Sequence, residues 1–227
     1  MKNFQKVHLQ DSVDIVRNAN GGELLIAGYG SLPNRPEPGL TPISPGWILN
    51  YRKEMCIRVT TCRGTSSQPA RVAGLVPDTK SRSMCMIAKA DGDQQMLLEQ
   101  LENRELAGMA YDPRVVAVDL MNGKHILAVA FVAAFWHVDL LQEMVTEQAN
   151  VIAKASGSCG SNREYLDLIL DFEWKMFGMV TPKLAALQKR LERMAAGRAT
   201  RSFMHRKHQV LFAVHETATF SCAKSIP

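Results

Sequence analysis

Strands first and helices later, with one helix inserted among the strands, predict an α+β fold. Between Leu24 and Phe135 the apolar residues fall in short runs bounded by turn signals, and after residue 140 they recur at helical spacing. A third observation gives the sheet antiparallel character. Asn122-Gly123 between two such runs marks a tight hairpin, because both residues accept positive φ.

The first strand is Leu24-Leu25-Ile26-Ala27, which ends in Gly28-Tyr29-Gly30-Ser31-Leu32. Pro33, Pro36 and Pro38 follow, so the chain leaves this strand into an irregular loop rather than a helix. Further strands are expected at Trp47 to Tyr51, Met55 to Val59, Val72 to Val76, Ser83 to Ile87, Val115 to Leu120 and Ile126 to Phe135. The inserted helix is Gln94 to Leu106, with Leu98, Leu101 and Glu105 on one face. Met144 to Ala155 forms the next, with Gly157 as its expected C-cap. Ser161-Asn162-Arg163-Glu164 fits a capping box, followed by the stripe Tyr165, Ile169, Phe172 and Met176 and a stop at Gly178. Thr181-Pro182 supplies N-cap and N1 for a last helix, with Leu184, Leu187, Leu191 and Met194 on one side.

A chain of 227 residues, 46% hydrophobic and 22% charged, is long enough to bury a proper core. A net charge of +5 suits small anionic substrates and does not by itself demand nucleic acid, and none is expected as a partner. The first twenty residues lack the apolar core of a signal peptide. The longest apolar run, Ile126 to Trp136, has 11 residues, too short to span a bilayer. A cytoplasmic protein without a membrane partner is therefore expected. Cys56, Cys62, Cys85, Cys159 and Cys222 are odd in number and widely spaced, with no CxxC pair. They are expected to be reduced, mostly buried thiols. From residue 189 to 208 seven Lys or Arg face a single acid, Glu192. This divides the chain into an N-terminal extension (1–22), a main domain (23–180) and a basic helical C-terminal extension (181–227). His205-x-x-His208 has too few ligands for a metal site, and none is expected.

Two places carry chemistry. Gly28-Tyr29-Gly30-Ser31 is not a nucleotide loop: the third glycine of GxGxxG falls at Pro33, and no GK[ST] follows. What remains is a glycine-flanked strand end, either a tight structural turn or a set of bare N–H groups suited to a carboxylate or an oxyanion. Glu105 lies on the face that the leucines bury. A carboxylate there is paired, with Arg58, Arg63 or Arg71 as candidates, or reaches water near the helix end, or is raised in pKa toward the range useful for proton transfer.

Five segments, in order, resemble the ChaC-like, glutathione-specific γ-glutamylcyclotransferases. Gly28-Tyr29-Gly30-Ser31-Leu32 is similar to the family's YGSL loop, and Gly46-Trp47 through Cys56-Ile57-Arg58 to its next segment. Arg63-Gly64-Thr65 with Gln68-Pro69-Ala70-Arg71 resembles RGT-x-x-QPGR. Arg104-Glu105-Leu106 is similar to RE-M, and Ala155 through Leu166 to ASGPxGxNxxYL. The resemblance implies a small mixed or antiparallel β-barrel with flanking helices and a helical C-terminal part. It implies a substrate, glutathione, whose own α-amine attacks its γ-carbonyl to give 5-oxoproline, with no cofactor or metal. Glu105 then matches the acid–base residue. The Tyr29, Gly30, Ser31 and Leu32 backbone, Tyr165 and Arg63 match the substrate-binding groups, and Arg71 is a weaker candidate. Three departures stand out: the proline-rich segment after Leu32, Ser83 to Ile87 in place of a GVAY-like strand, and Ala70 for glycine. They leave open a cyclotransferase for other γ-glutamyl amines, or a binding protein of the same fold. The oligomeric state is not readable.

Overall fold

The computed structural model describes residues 9–197 except 109, 135, 136 and 138. The fold is α+β, built on a closed five-stranded barrel in the order β1-β3-β2-β4-β5. Helix α1 (Leu9–Ala19) precedes β1 (Leu25–Gly28), and the long strands β2 (Leu40–Val59) and β3 (Ala70–Ala90) follow. Next come α2 (Gln94–Leu101), a π turn (Glu102–Leu106), β4 (Tyr111–Leu120) and β5 (His125–Ala133). All pairings are antiparallel except the closure, where Ile26 of β1 runs parallel to Val129 of β5. The barrel is therefore mixed.

The four expected strands between Trp47 and Ile87 are halves of two, β2 and β3. Arg52-Lys53-Glu54 reads as a polar break, yet the strand passes through it. Bulges near Pro42, Asn50 and Glu54 shift the register, with Asn50 at a left-handed φ of 63°, and these bend a long strand around a small barrel. Lys53 points inward, where its ammonium meets Glu173 at 2.8 Å and the Met84 carbonyl at 2.9 Å. The Asn122-Gly123 turn stands where the sequence puts it, although Gly123 alone of the two takes a positive φ, at 83°. Helix α1 buries Val13 and Val16 and packs on β4 and β5, with Asn20 donating to the Leu127 carbonyl at 2.8 Å.

Beyond the barrel lie α3 (Val145–Ile152), the hairpin β6 (Ser156–Gly157) and β7 (Gly160–Ser161), and α4 (Asn162–Phe177). Gly157 is no C-cap; it pairs with Gly160 in that hairpin. The capping box at α4 is present: Ser161 Oγ accepts from the Glu164 amide at 3.1 Å, and Glu164 accepts from the Ser161 amide at 2.9 Å. Tyr165, Ile169 and Phe172 are buried as the stripe requires, whereas Met176 is exposed near the helix end. Gly178 closes α4 at φ 65°. A helix α5 (182–197) follows, with Leu184, Leu187 and Leu191 buried and Lys189, Arg190 and Arg193 exposed. Its first turn is anchored to α4 through Glu173, which accepts from the Thr181 amide at 2.6 Å and the Thr181 hydroxyl at 2.9 Å. His205, His208 and the run Val210 to Val214 lie outside the described residues.

One expectation is overturned outright. Cys62 and Cys159 form a disulfide with Cα atoms 4.7 Å apart, although 97 residues separate them in sequence. Pairing across such a distance is set by the fold and has no local signal. Cys56 and Cys85 are free and buried. No described helix is long and apolar enough to cross a membrane.

Candidate active site

The glycine loop leaves β1 at the barrel mouth, and the π turn is drawn against it by one side chain. Arg104 donates to the Arg35 carbonyl at 2.8 Å and to Ser31 Oγ at 2.9 Å, and pairs with Glu37. The same guanidinium reaches Glu105 at 3.2 Å. Helix α2 buries Leu97 and Leu101 rather than Leu98, and the wider π turn then carries Glu105 inward. Inserted turns of this kind re-aim a side chain, often at functional positions.

The opposite wall hangs on Ala73 of β3. Its amide donates to the Tyr165 hydroxyl at 3.2 Å, and its carbonyl accepts from the Tyr111 hydroxyl at 2.7 Å. Asn162 fixes the start of α4 to β3 through both backbone groups of Arg71, at 2.8 and 2.7 Å. Tyr165, one turn on, is thereby placed. A Cβ on Gly30 would lie 3.0 Å from the Tyr165 hydroxyl, so glycine lets loop and ring meet.

These elements enclose one cavity with two adjoining lobes. Tyr29, Gly30, Ser31, Leu32, Glu105 and Tyr165 line the inner lobe with Tyr111. The outer lobe, about 320 Å³, shares Ser31, Glu105, Tyr111 and Tyr165 and adds Arg35, Cys62, Arg63 and Arg104. All seven residues singled out from the sequence thus meet at one place. Tyr29 does so while its hydroxyl donates to the Phe131 carbonyl. Arg63 donates to the Ser161 carbonyl at 3.2 Å and lies 5.8 Å from the centre of the Tyr165 ring. Arg71 is held elsewhere, by a two-pronged contact to Glu143 at 2.7 and 2.6 Å.

Burial pushes the Glu105 carboxyl above its ordinary pKa; Arg104 works against this and Glu37 adds to it. None of the three arginines proposed as partners reaches Glu105. Arg58 pairs with Asp139, Arg63 with Glu164 and Arg71 with Glu143. Burial likewise raises Tyr165, with the Ala73 amide opposing. A raised carboxyl between a glycine loop and a cationic lobe can take a proton from an ammonium and return it to a leaving nitrogen.

Tyr111, Arg35 and Arg104 were missed as lining residues. Asp112-Pro113 reads as a turn and hides the start of β4, where Tyr111 sits. Arg104 stands in the RE-M-like element, but its contact with Ser31 has no local signature.

Comparison with known proteins completes the picture. The family model described as ChaC-like protein matches residues 24–194. The chain is 29% identical over 147 residues to the glutathione-specific gamma-glutamylcyclotransferase of Escherichia coli (strain K12), covering 64% of this chain and 63% of that protein. It is 29% identical over 153 residues to glutathione-specific gamma-glutamylcyclotransferase 1 of Homo sapiens, covering 66% and 69%. The match therefore spans less than two thirds of the bacterial relative's length. Among solved structures, the yeast gamma-glutamyl cyclotransferase specific to glutathione superposes with a TM-score of 0.69 at 22% identity, over 75% of this chain and 96% of that one. Identity at that level shows a shared fold. With the family model spanning both the glycine loop and the Glu105 turn, the chain belongs to the ChaC-like family.

Proposed function

We propose that this protein is a γ-glutamylcyclotransferase that cleaves glutathione into 5-oxoproline and cysteinylglycine, without a cofactor. The observation that carries the reading is Glu105: a carboxyl raised by burial, at the junction of the two lobes. The γ-glutamyl group sits where the two lobes join, held by the backbone of Tyr29 to Leu32 and by Tyr165. Glu105 accepts a proton from the α-ammonium. The freed amine attacks the γ-carbonyl carbon, closing a five-membered ring, and backbone N–H groups of the loop stabilise the oxyanion. Protonated Glu105 then donates to the departing amide nitrogen and the C–N bond breaks; the ring nitrogen gives up its second proton through the same carboxylate, and cysteinylglycine leaves as the ammonium. Because the nucleophile is tethered to its target, orientation supplies much of the rate. Arg35, Arg63 and Arg104 line the outer lobe, and a guanidinium there suits the glycine carboxylate of glutathione, with Arg63 also facing Glu164 and Arg104 facing Glu37 and Glu105. The relatives' names support the same substrate. The expected compartment is the cytoplasm, where glutathione sets the thiol poise.

The test is to incubate the protein, and a Glu105→Gln variant, with glutathione and measure both products. Equal release of 5-oxoproline and cysteinylglycine by the parent alone is expected. No release by the parent removes the assignment, and release by both removes Glu105 as the base. Turnover of γ-glutamyl-alanine or γ-glutamyl-lysine above that of glutathione would move the substrate to another γ-glutamyl compound.

A further inference from the structure

The cavity wall holds a bond that the cyclisation leaves unused. Cys62 is exposed, lines the outer lobe beside Arg63 and sits at a left-handed φ of 57°. Its partner Cys159, in the turn between β6 and β7, is half-buried. The other two described cysteines are out of reach: Cys56 and Cys85 are buried, and burial pushes both thiols to about 12. Exposed disulfides are the exchangeable ones, and attack falls on the sulfur that a thiolate can approach.

We propose that Cys62–Cys159 is a thiol-exchange site built into the substrate cavity, taking a low-molecular-weight thiol of the γ-glutamyl class. The proposal rests on the reading above that such peptides enter this cavity. The incoming thiolate attacks Cys62 Sγ and forms a new S–S bond with it. The Cys62–Cys159 bond breaks, its electron pair passes to Cys159 Sγ, and that thiolate takes a proton from water. A second thiol then attacks the peptide sulfur of the mixed disulfide and releases Cys62 as a thiolate. Two peptide thiols are oxidised to one peptide disulfide while the protein disulfide is reduced by the same two electrons. Arg63, Arg35 and Arg104 line the same lobe and suit an incoming anionic peptide thiolate.

The exchange is built to be reversible. The Cys159 amide donates to the Cys62 carbonyl at 2.8 Å, independently of the sulfurs. Gly157 lies so close that a Cβ there would stand 2.3 Å from the same carbonyl oxygen. The two segments thus stay side by side after the bond opens, ready to close again. The reaction also touches the site, because the β6–β7 hairpin leads into Ser161, whose carbonyl holds Arg63 and whose hydroxyl caps the helix of Tyr165.

In a Cys222→Ser background, Cys159→Ser leaves Cys62 as the reachable thiol, and Cys62→Ser leaves Cys159. Each is incubated with oxidised glutathione and followed by intact mass. The Cys62 adduct is expected to form at least about tenfold faster than the Cys159 adduct, following exposure. Saturating S-methylglutathione, which fills the cavity but has no thiol, is expected to slow it by a similar factor. Equal rates, or no protection, overturn the proposal. So does a Cys62–Cys159 bond in the unmutated protein that survives excess reduced glutathione. The two readings fail separately. Adduct formation without 5-oxoproline release removes the cyclisation and leaves the thiol site; release without adduct does the reverse.

Discussion

Glu173 and Glu105 are both withdrawn from water, and their surroundings could hardly differ more. Glu173 is fully buried and saturated with donors: Lys53, the Thr181 amide and the Thr181 hydroxyl all point at it. Glu105 keeps 15% of its side chain exposed, faces a cavity and, among the described residues, has a single cation, one that also serves Glu37 and the glycine loop. Burial with a full set of partners fixes a structure. Burial with an incomplete set leaves a group whose proton can move. The contrast assigns Glu173 to the fold and Glu105 to the proposed chemistry, and substitutions at the two sites should break different things.

The largest expected effect is that of Glu105→Gln on turnover. Loss of a general acid–base group lowers kcat by about 10²- to 10⁴-fold, measured as 5-oxoproline release. Stability should move the other way. The folded pKa of Glu105 is raised, so the cost of its charge is absent below the unfolded pKa and fully present above the folded one. At neutral pH the neutral glutamine should melt no lower than the parent. A lower melting temperature would show Glu105 to be a structural partner like Glu173.

Lys53→Met should do the reverse. It strands the Glu173 carboxylate in the core, at a cost of about 3–5 kcal/mol in denaturant unfolding. Adding Glu173→Leu should recover part of that loss, since no buried charge then remains. A Lys53→Met protein as stable as the parent would mean that Glu173 is not confined to this pair.

How much of this contrast the sequence reveals depends on the range of each interaction. The Asn122-Gly123 turn and the Ser161 to Glu164 capping box are local chemistry, and both stand where the residues put them. That the glycine loop, Glu105 and Tyr165 meet at one cavity follows the motif order, which supplies what spacing does not. Lys53 was not: its partner lies 120 residues on, and a charged triplet in a strand reads as an interruption. The Cys62–Cys159 bond escaped for the same reason. Even the phase of α2 was shifted by one residue, from Leu98 to Leu97, because the π turn that follows breaks the regular period on which the expectation rested.

Tyr165→Phe separates the two roles of one ring. The hydroxyl accepts from the Ala73 amide, so its loss leaves a buried N–H unsatisfied, at a cost of about 1–3 kcal/mol in stability. Gly30→Ala, by contrast, would crowd that hydroxyl without removing it. Its expected effect is a raised KM with a nearly unchanged melting temperature, and Tyr165→Phe in the same chain should relieve the crowding. If Gly30→Ala leaves KM untouched, the loop is not in contact with the γ-glutamyl group.

The smallest effect is the most discriminating, because it asks which group titrates. As the base, Glu105 must be ionised, so activity rises with pH through its raised pKa. Arg104 lowers that pKa and Glu37 raises it. Arg104→Gln should therefore move the acid limb of kcat/KM to higher pH, and Glu37→Gln should move it to lower pH. The two residues pair with each other, so any change that merely loosens the loop would shift both profiles alike. Opposite shifts identify the charge on Glu105 as the quantity being read. Shifts in one direction would assign the limb to another group and leave Glu105 without its proposed role.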